Sequence, residues 1–245
     1  MSIIVIPCRA KTEKLSKHPL ALLHGIPHIC WTLRSSLKCS SEISIAYDDD
    51  VIAETVTKYA NWIGNKGHYE MVKTKKYNTD SDQANELITM IDSSYNYKHV
   101  ITIPSNIPVF PSNLPSMLIE QLKNDVNIEV STVMTNITDM EIKNTNVVKV
   151  VVDNFDEYVG KCVFFSQQPI SPSFRHINIY AYDRDYLEWN SEIKPTYLEK
   201  LYQMEQMRMI TNYAHINGIL VDDDFICINE KDDINKFEKL IKKDD

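Results

Sequence analysis

Ser2-Ile3-Ile4-Val5-Ile6-Pro7 stands at the head of the chain, and its reading sets the fold. Ile3 to Ile6 is an unbroken apolar run that ends in proline. An alternating pattern would mark a strand wet on one face; a continuous run marks one buried on both. Such strands belong to mostly parallel sheets with helices on both faces. This strand delivers a basic loop, Arg9 to Lys17, with Arg9, Lys11, Lys14 and Lys17 as its cations, to the carboxyl edge of that sheet. In open α/β sheets ligands bind at this edge.

Outward from there the pattern repeats. Apolar residues recur at helical spacing from Pro27 to Leu37, and Glu42 to Tyr47 reads as a second strand. Asp49 and Asp50 open a helix through Trp62, where acids complement the dipole. Strands are predicted at Tyr69–Val72, Val100–Ile103 and Ile128–Val133, and helices at Ser81–Ile91 and from the proline-rich stretch 104–115 to Lys123. The alternation predicts a parallel sheet. After Val147 the rhythm changes. Val147–Val152 and Cys162–Phe165 flank a polar stretch and read as an antiparallel hairpin. Ile177–Tyr182 and Gly218–Val221 are further strands. Helical segments fall around Asp185–Asn190, Thr196–Asn212 and Asp232–Lys242. The reading is one domain, 1–245, with a small mixed β subregion at 147–190.

The 245 residues, 43% apolar, suffice for a sizeable core without disulfides or metals. A net charge of −8 argues against nonspecific nucleic-acid binding. The five cysteines are odd in number and form no C-x-x-C pair, which fits reduced thiols in a cytoplasmic protein. No run approaches the roughly 18 apolar residues of a membrane span. With five glycines and neither G-x-G-x-x-G nor a P-loop, ordinary dinucleotide and P-loop sites are excluded.

Four segments together resemble the cytidylyltransferase family that makes CMP-Kdo, where Kdo is the eight-carbon acid sugar 3-deoxy-manno-octulosonate. They are Pro7–Leu20 (family P-A-R-x-x-S-x-R-L-P-G-K-P-L), Ala46–Val51 (A-T-D-[DH]-x-x-V), and Val148–Asp153 with Phe164–Gln167 (V-K-V-V-x-[DN], Y-F-S-R). The fourth is His176–Tyr182 with Leu201–Arg208 (H-x-G-I-Y-A-Y, L-E-x-L-E-Q-L-R). Their order and spacing hold over essentially the whole chain. The resemblance implies a nucleotide-diphospho-sugar transferase-like fold and transfer of CMP from CTP to Kdo or a related acid sugar, with release of pyrophosphate. It also implies magnesium and a homodimer built through 147–190. Arg9 and Lys14 would meet the triphosphate, with Asp48 beside the nucleotide. Lys149, His176, Tyr180, Glu205, Gln206 and Arg208 would shape the sugar pocket or the dimer contact.

The chain departs from the pattern where charge matters most. Both aspartates that hold metal in the family align with asparagine, Asn106 and Asn229. At an effective dielectric of about 20, each lost charge about 4 Å from a divalent ion is worth on the order of 4 kcal/mol. The glycine of the phosphate loop is gone, and its second arginine aligns with Lys14, a point charge without the bidentate fork. The family's S-G-T-[DE]-R aligns with Asp80–Ala84, which places new acids there. Gln167 replaces a further arginine. These departures leave a second reading open: a relative that binds nucleotide, acid sugar or a protein partner without turnover.

Blander readings stand beside several of these residues. His18, His24 and His28 lack a carboxylate or cysteine set at ligand spacing and read as loop and turn residues. Asp222–Asp224 reads as a solvated turn, and Met204, Met207 and Met209 as core. Glu205 and Arg208, spaced i, i+3, read equally as a surface ion pair. His176 reads equally as a structural hydrogen-bonding residue or as a substrate ligand.

Overall fold

A computed structural model describes every residue except 11–18, 41, 65–68, 223–224 and 245. In chain order the elements begin with β1 (Ser2–Cys8), β2 (Leu22–Leu23), β3 (Ile26–Pro27), α1 (His28–Ser36), β4 (Ile43–Tyr47), α2 (Asp50–Lys58), α3 (Ala60–Ile63) and β5 (Glu70–Lys73). Next are α4 (Asp80–Ile91), β6 (His99–Thr102), α5 (Leu114–Asn124), β7 (Val130–Thr135), α6 (Asp139–Lys143), β8 (Lys149–Asp156) and β9 (Val159–Ser166). The last are β10 (Phe174–Asp183), α7 (Arg184–Glu192), α8 (Tyr197–Tyr202), α9 (Gln206–Thr211), β11 (Ile216–Leu220) and α10 (Lys231–Asp244). Among the described residues no helix is long and apolar enough to cross a membrane.

The chain forms two compact units. The first comprises Ser2–Asn96, Thr102–Leu114 and Asp224–Asp245. Its strands run in the order β5-β4-β1 and are all parallel. Ile4, Val5 and Ile6 are fully buried, as a strand covered on both faces requires. Cys8 pairs with Tyr47, so the chain leaves β1 and β4 side by side at the carboxyl edge. Asp49 caps α2, its side chain accepting from Val51 N at 3.2 Å, as the acid pair predicts. The predicted single helix to Trp62 is instead two, broken at Tyr59 (φ −95°, ψ 8°). Leu23, Ile228 and Phe237 form a small core with Trp31 packed against it, which seats α10 on β2.

The second unit comprises Met1, Tyr97–Ile101 and Pro115–Asp223. Its strands run β10-β7-β11-β9-β8, with β8 also reaching β10. Among these five strands β7–β11 is parallel, and β7–β10, β8–β10, β9–β11 and β8–β9 are antiparallel. The hairpin expected within 147–190 is β8–β9. The register of β10 against β7 jumps between Ile177 and Tyr180, leaving Asn178 and Ile179 bulged out of the ladder. The predicted helix over Thr196–Asn212 is two short helices separated by Gln203 in the left-handed region (φ 52°).

Candidate functional site

Each unit carries its own set of candidate residues. In the first, they gather at the carboxyl edge of β1 and β4. Asp48 follows β4 and its Oδ1 accepts from Ala10 N at 2.7 Å, pinning the start of the loop after β1. Arg9 points to the N-terminus of α4: its guanidinium donates to Asn78 O and, at 2.5 Å, to Asp80 Oδ1. Asp80 is buried and Arg9 partly exposed. The cation expected to meet a triphosphate is therefore held by one of the new acids. Gln83, one turn along α4, reaches Cys8 O (3.2 Å), Ala46 O (3.1 Å) and Thr74 Oγ1 (3.0 Å), which ties three neighbouring strand ends together. Burial, reinforced by the negative charge of Asp80 and Asp48, pushes the Cys8 thiol well above its ordinary value. Cys8 is thus a neutral packing group and no nucleophile. Lys11, Lys14, Lys17 and His18 lie outside the described residues.

Asn106 sits in the loop after β6, which α1 holds in place. Thr32 Oγ1 lies 2.8 Å from Ser105 O, and Ser35 Oγ donates to Pro108 O at 2.8 Å. The Asn106 side chain donates to Asn229 Oδ1 at 3.3 Å and to Ile228 O at 3.4 Å, while Ile228 N donates to Asn106 O at 2.9 Å. The two positions expected to hold a metal do meet, and they meet as an amide–amide hydrogen bond. Asp233 does not replace the lost carboxylates. Its Oδ2 accepts from Asn229 N (3.1 Å) and Glu230 N (3.0 Å), and its Oδ1 pairs with Lys236. Among the described residues no group of three or more His, Cys, Asp or Glu could hold a metal ion. Two neutral amides, one directing a donor N–H at the other's oxygen, do not fit a divalent cation, which wants hard anionic oxygens.

In the second unit the candidates are buried and hydrogen-bonded. Lys149 is fully buried, and its ammonium donates to Asn144 O (2.6 Å), Gln167 O (2.8 Å) and Val147 O (2.9 Å). All three protons are used, so it fastens two loops. Burial lowers its pKa from the ordinary lysine value. Thr132 Oγ1 donates to Ile179 O at 2.8 Å and lies 2.9 Å from His176 Nε2. Thr132 has one proton, so His176 Nε2 is the donor of that contact and Nδ1 is left as an acceptor. That Nδ1 is buried and has no hydrogen-bond partner among the described residues. Burial drives the His176 pKa down to about 3, so the ring is neutral. Gln206 Nε2 donates to Tyr180 Oη at 2.6 Å and to Asn178 Oδ1 at 3.1 Å, joining α9 to the bulge of β10.

Arg208 corrects one expectation. It is 1% exposed, a buried group and not a surface one, and it donates to Glu199 Oε2 (2.8 Å) and Oε1 (2.6 Å) and to Asn190 O (3.2 Å). Glu205 instead stands at the N-terminal boundary of α9, its carbonyl accepting from Arg208 N. The signal for Glu199 was present in sequence. Thr196-Tyr197-Leu198-Glu199 is a capping box, and the structure forms it. Thr132, in mid-strand, carried no signal. His24 lies in the turn between β2 and β3, whereas His28, expected in a turn, is buried in α1. Met204, Met207 and Met209 are core, and Asp222 is exposed. Asp223 and Asp224 lie outside the described residues.

A family model described as cytidylyltransferase matches residues 3–218. The chain belongs to the cytidylyltransferase family. A cytidylyltransferase from Bartonella bacilliformis, named 3-deoxy-manno-octulosonate cytidylyltransferase, is 26% identical over 244 residues and covers 98% of each chain. One of the same name from Rickettsia prowazekii is 27% identical, covering 98% of this chain and 95% of its own. Among solved structures, a CMP:2-keto-3-deoxy-manno-octonic acid synthetase complexed with CTP aligns with TM-score 0.82 at 21% identity, covering 99% of both chains. A UDP-glucose pyrophosphorylase complexed with UDP-glucose aligns with TM-score 0.71 at 10% identity over the full length of both. These two establish the fold, the α/β architecture of nucleotidyltransferases.

Proposed function

We propose that this cytidylyltransferase transfers CMP from CTP to Kdo or a related 3-deoxy-2-keto acid sugar. The anomeric hydroxyl oxygen attacks the α-phosphorus, the bond from that phosphorus to the oxygen bridging it to the β-phosphate breaks, pyrophosphate leaves with that oxygen, and the hydroxyl proton passes to solvent. The observation that carries this reading is the family match over residues 3–218, with full-length relatives of that one name. The work left to side chains is positioning and charge neutralisation.

In the first unit, Arg9 and Lys14 are the triphosphate cations, and Asp48 holds Ala10, the residue after Arg9, through its backbone N–H. In the second unit, the acid sugar meets the polar set around Asn178, Tyr180 and Gln206, with His176 neutral beside it. Lys149, Glu205 and Arg208 position that set through the loops and helices they fasten. Magnesium, which the family resemblance implies, has no fitting pair at Asn106 and Asn229, so no step is assigned to an ion there. Exposed Phe155, Tyr158, Val163 and Phe164 on β8–β9 support a homodimer through 147–190. Free thiols support a cytoplasmic setting.

The test is product identity. The protein is incubated with CTP and either eight-carbon or nine-carbon 3-deoxy-2-keto acid sugars, and CMP-sugar is read by mass spectrometry. A CMP-sugar with one of them, lost in Arg9→Ala, is the expected result. Binding of CTP with no CMP-sugar from any acceptor would favour the reading without turnover, for which the amide pair at 106 and 229 is the motivating observation.

A further inference from the structure

We propose that the Asn106–Asn229 amide pair is a metal-free clasp: this chain takes up CTP without a divalent cation held by the protein at that position. The inference rests on the nucleotide reading above only for its ligand; the clasp itself is a matter of geometry. Three hydrogen bonds join the loop after β6 to the segment before α10. They are Asn106 Nδ2 to Asn229 Oδ1 (3.3 Å), Asn106 Nδ2 to Ile228 O (3.4 Å) and Ile228 N to Asn106 O (2.9 Å).

Where two carboxylates repel each other and need a cation between them, an amide supplies both donor and acceptor and closes the gap unaided. To bring its oxygen to the place where Nδ2 now meets Asn229 Oδ1, the Asn106 side chain would have to turn over and lose both side-chain bonds. Of the nearby carboxylates, Asp233 is occupied on both oxygens by Asn229 N, Glu230 N and Lys236. The segment is also anchored independently of any ion, because Ile228 is fully buried against Leu23 and Phe237. Order that a carboxylate pair would obtain from a metal is here built into the fold.

The experiment uses the full chain as wild type, Asn106→Asp/Asn229→Asp, Asn229→Asp alone, and Asn106→Leu/Asn229→Leu. Thermal unfolding and Mn2+ binding by electron paramagnetic resonance are read on nucleotide-free protein, and CTP binding by calorimetry in EDTA and in Mg2+. The wild type is expected to melt at the same temperature with and without Mn2+. The double aspartate variant should melt lower without Mn2+, be restored by it, and bind Mn2+ more tightly than wild type by at least about a hundredfold. The single Asn229→Asp variant should show a smaller gain of the same sign, which keeps the test open if the double variant does not fold. Wild-type CTP affinity should agree within about threefold between EDTA and Mg2+, while the double aspartate variant becomes Mg2+-dependent.

Wild-type Mn2+ binding abolished by the leucine pair, or aspartate variants that gain none, would overturn the clasp. So would a wild-type CTP affinity that rises tenfold with Mg2+. No CTP binding in either buffer, with the Mn2+ results as expected, would overturn the nucleotide reading and uphold the clasp.

Discussion

Replacing Asp80 by asparagine should tighten CTP binding. In the folded protein Asp80 Oδ1 receives a 2.5 Å hydrogen bond from the Arg9 guanidinium, with Asp80 buried and Arg9 about a quarter exposed. For Arg9 to meet a triphosphate it must leave Asp80. A charge-assisted hydrogen bond in this partly sheltered setting contributes about 1.5–3 kcal/mol. Removing the competitor should therefore strengthen CTP binding by roughly ten- to a hundredfold, at about 1.4 kcal/mol per tenfold. Asparagine keeps the shape at this first position of α4, so the change isolates charge. Loss of a negative charge would favour a polyanion even without Arg9, so the assay is a cycle: calorimetric CTP dissociation constants for wild type, Asp80→Asn, Arg9→Ala and the double variant. The gain must be largely lost in the Arg9→Ala background. An equal gain with and without Arg9, or no gain at all, would refute competition between Asp80 and the triphosphate.

Three further outcomes follow from the second unit. Glu199→Ala leaves the buried Arg208 guanidinium uncompensated and should lower stability by about 3–5 kcal/mol, roughly 10 °C or more in melting temperature, whereas Glu199→Leu/Arg208→Met recovers most of it. Lys149→Met should orphan three carbonyl oxygens and lower stability by about 2–4 kcal/mol in urea unfolding. The His176 pKa is depressed in the folded state to about 3 from 6.5, so the unfolded chain binds the extra proton between these values. Stability relative to His176→Gln should fall by about 1.4 kcal/mol per pH unit as pH drops below 6.5, and be independent of pH above it.

The parallel first unit was legible because burial on both faces leaves unbroken apolar runs such as Ile3–Ile6, and acids such as Asp49 mark helix starts directly. What sequence concealed were breaks and distant partners. A helix pattern from Thr196 to Asn212 does not announce that Gln203 turns left-handed, because glutamine favours helices and tertiary packing overrides that preference. The two-residue strands β2 and β3 are too short for any periodicity; only the turn at His24-Gly25, both at positive φ, defines them. Arg208 could be matched with Glu205 by spacing alone, but its partner Glu199 arrives from the preceding helix, which spacing within α9 cannot reveal. At the first-unit site, alignment to the family brought out the substitutions at 80, 106 and 229, and geometry supplied their meaning. Asp80 occupies Arg9, and the two asparagines bond to each other.

The most direct test of the account is CTP- and sugar-dependent release of pyrophosphate by purified wild-type protein, followed continuously with a coupled phosphate assay in buffer containing Mg2+ as the counter-ion of CTP. The account predicts steady turnover that needs both CTP and a 3-deoxy-2-keto acid sugar, falls by at least about a hundredfold in Arg9→Ala, and is not reproduced with UTP. Folded protein that binds CTP yet releases no pyrophosphate with any such sugar would contradict it.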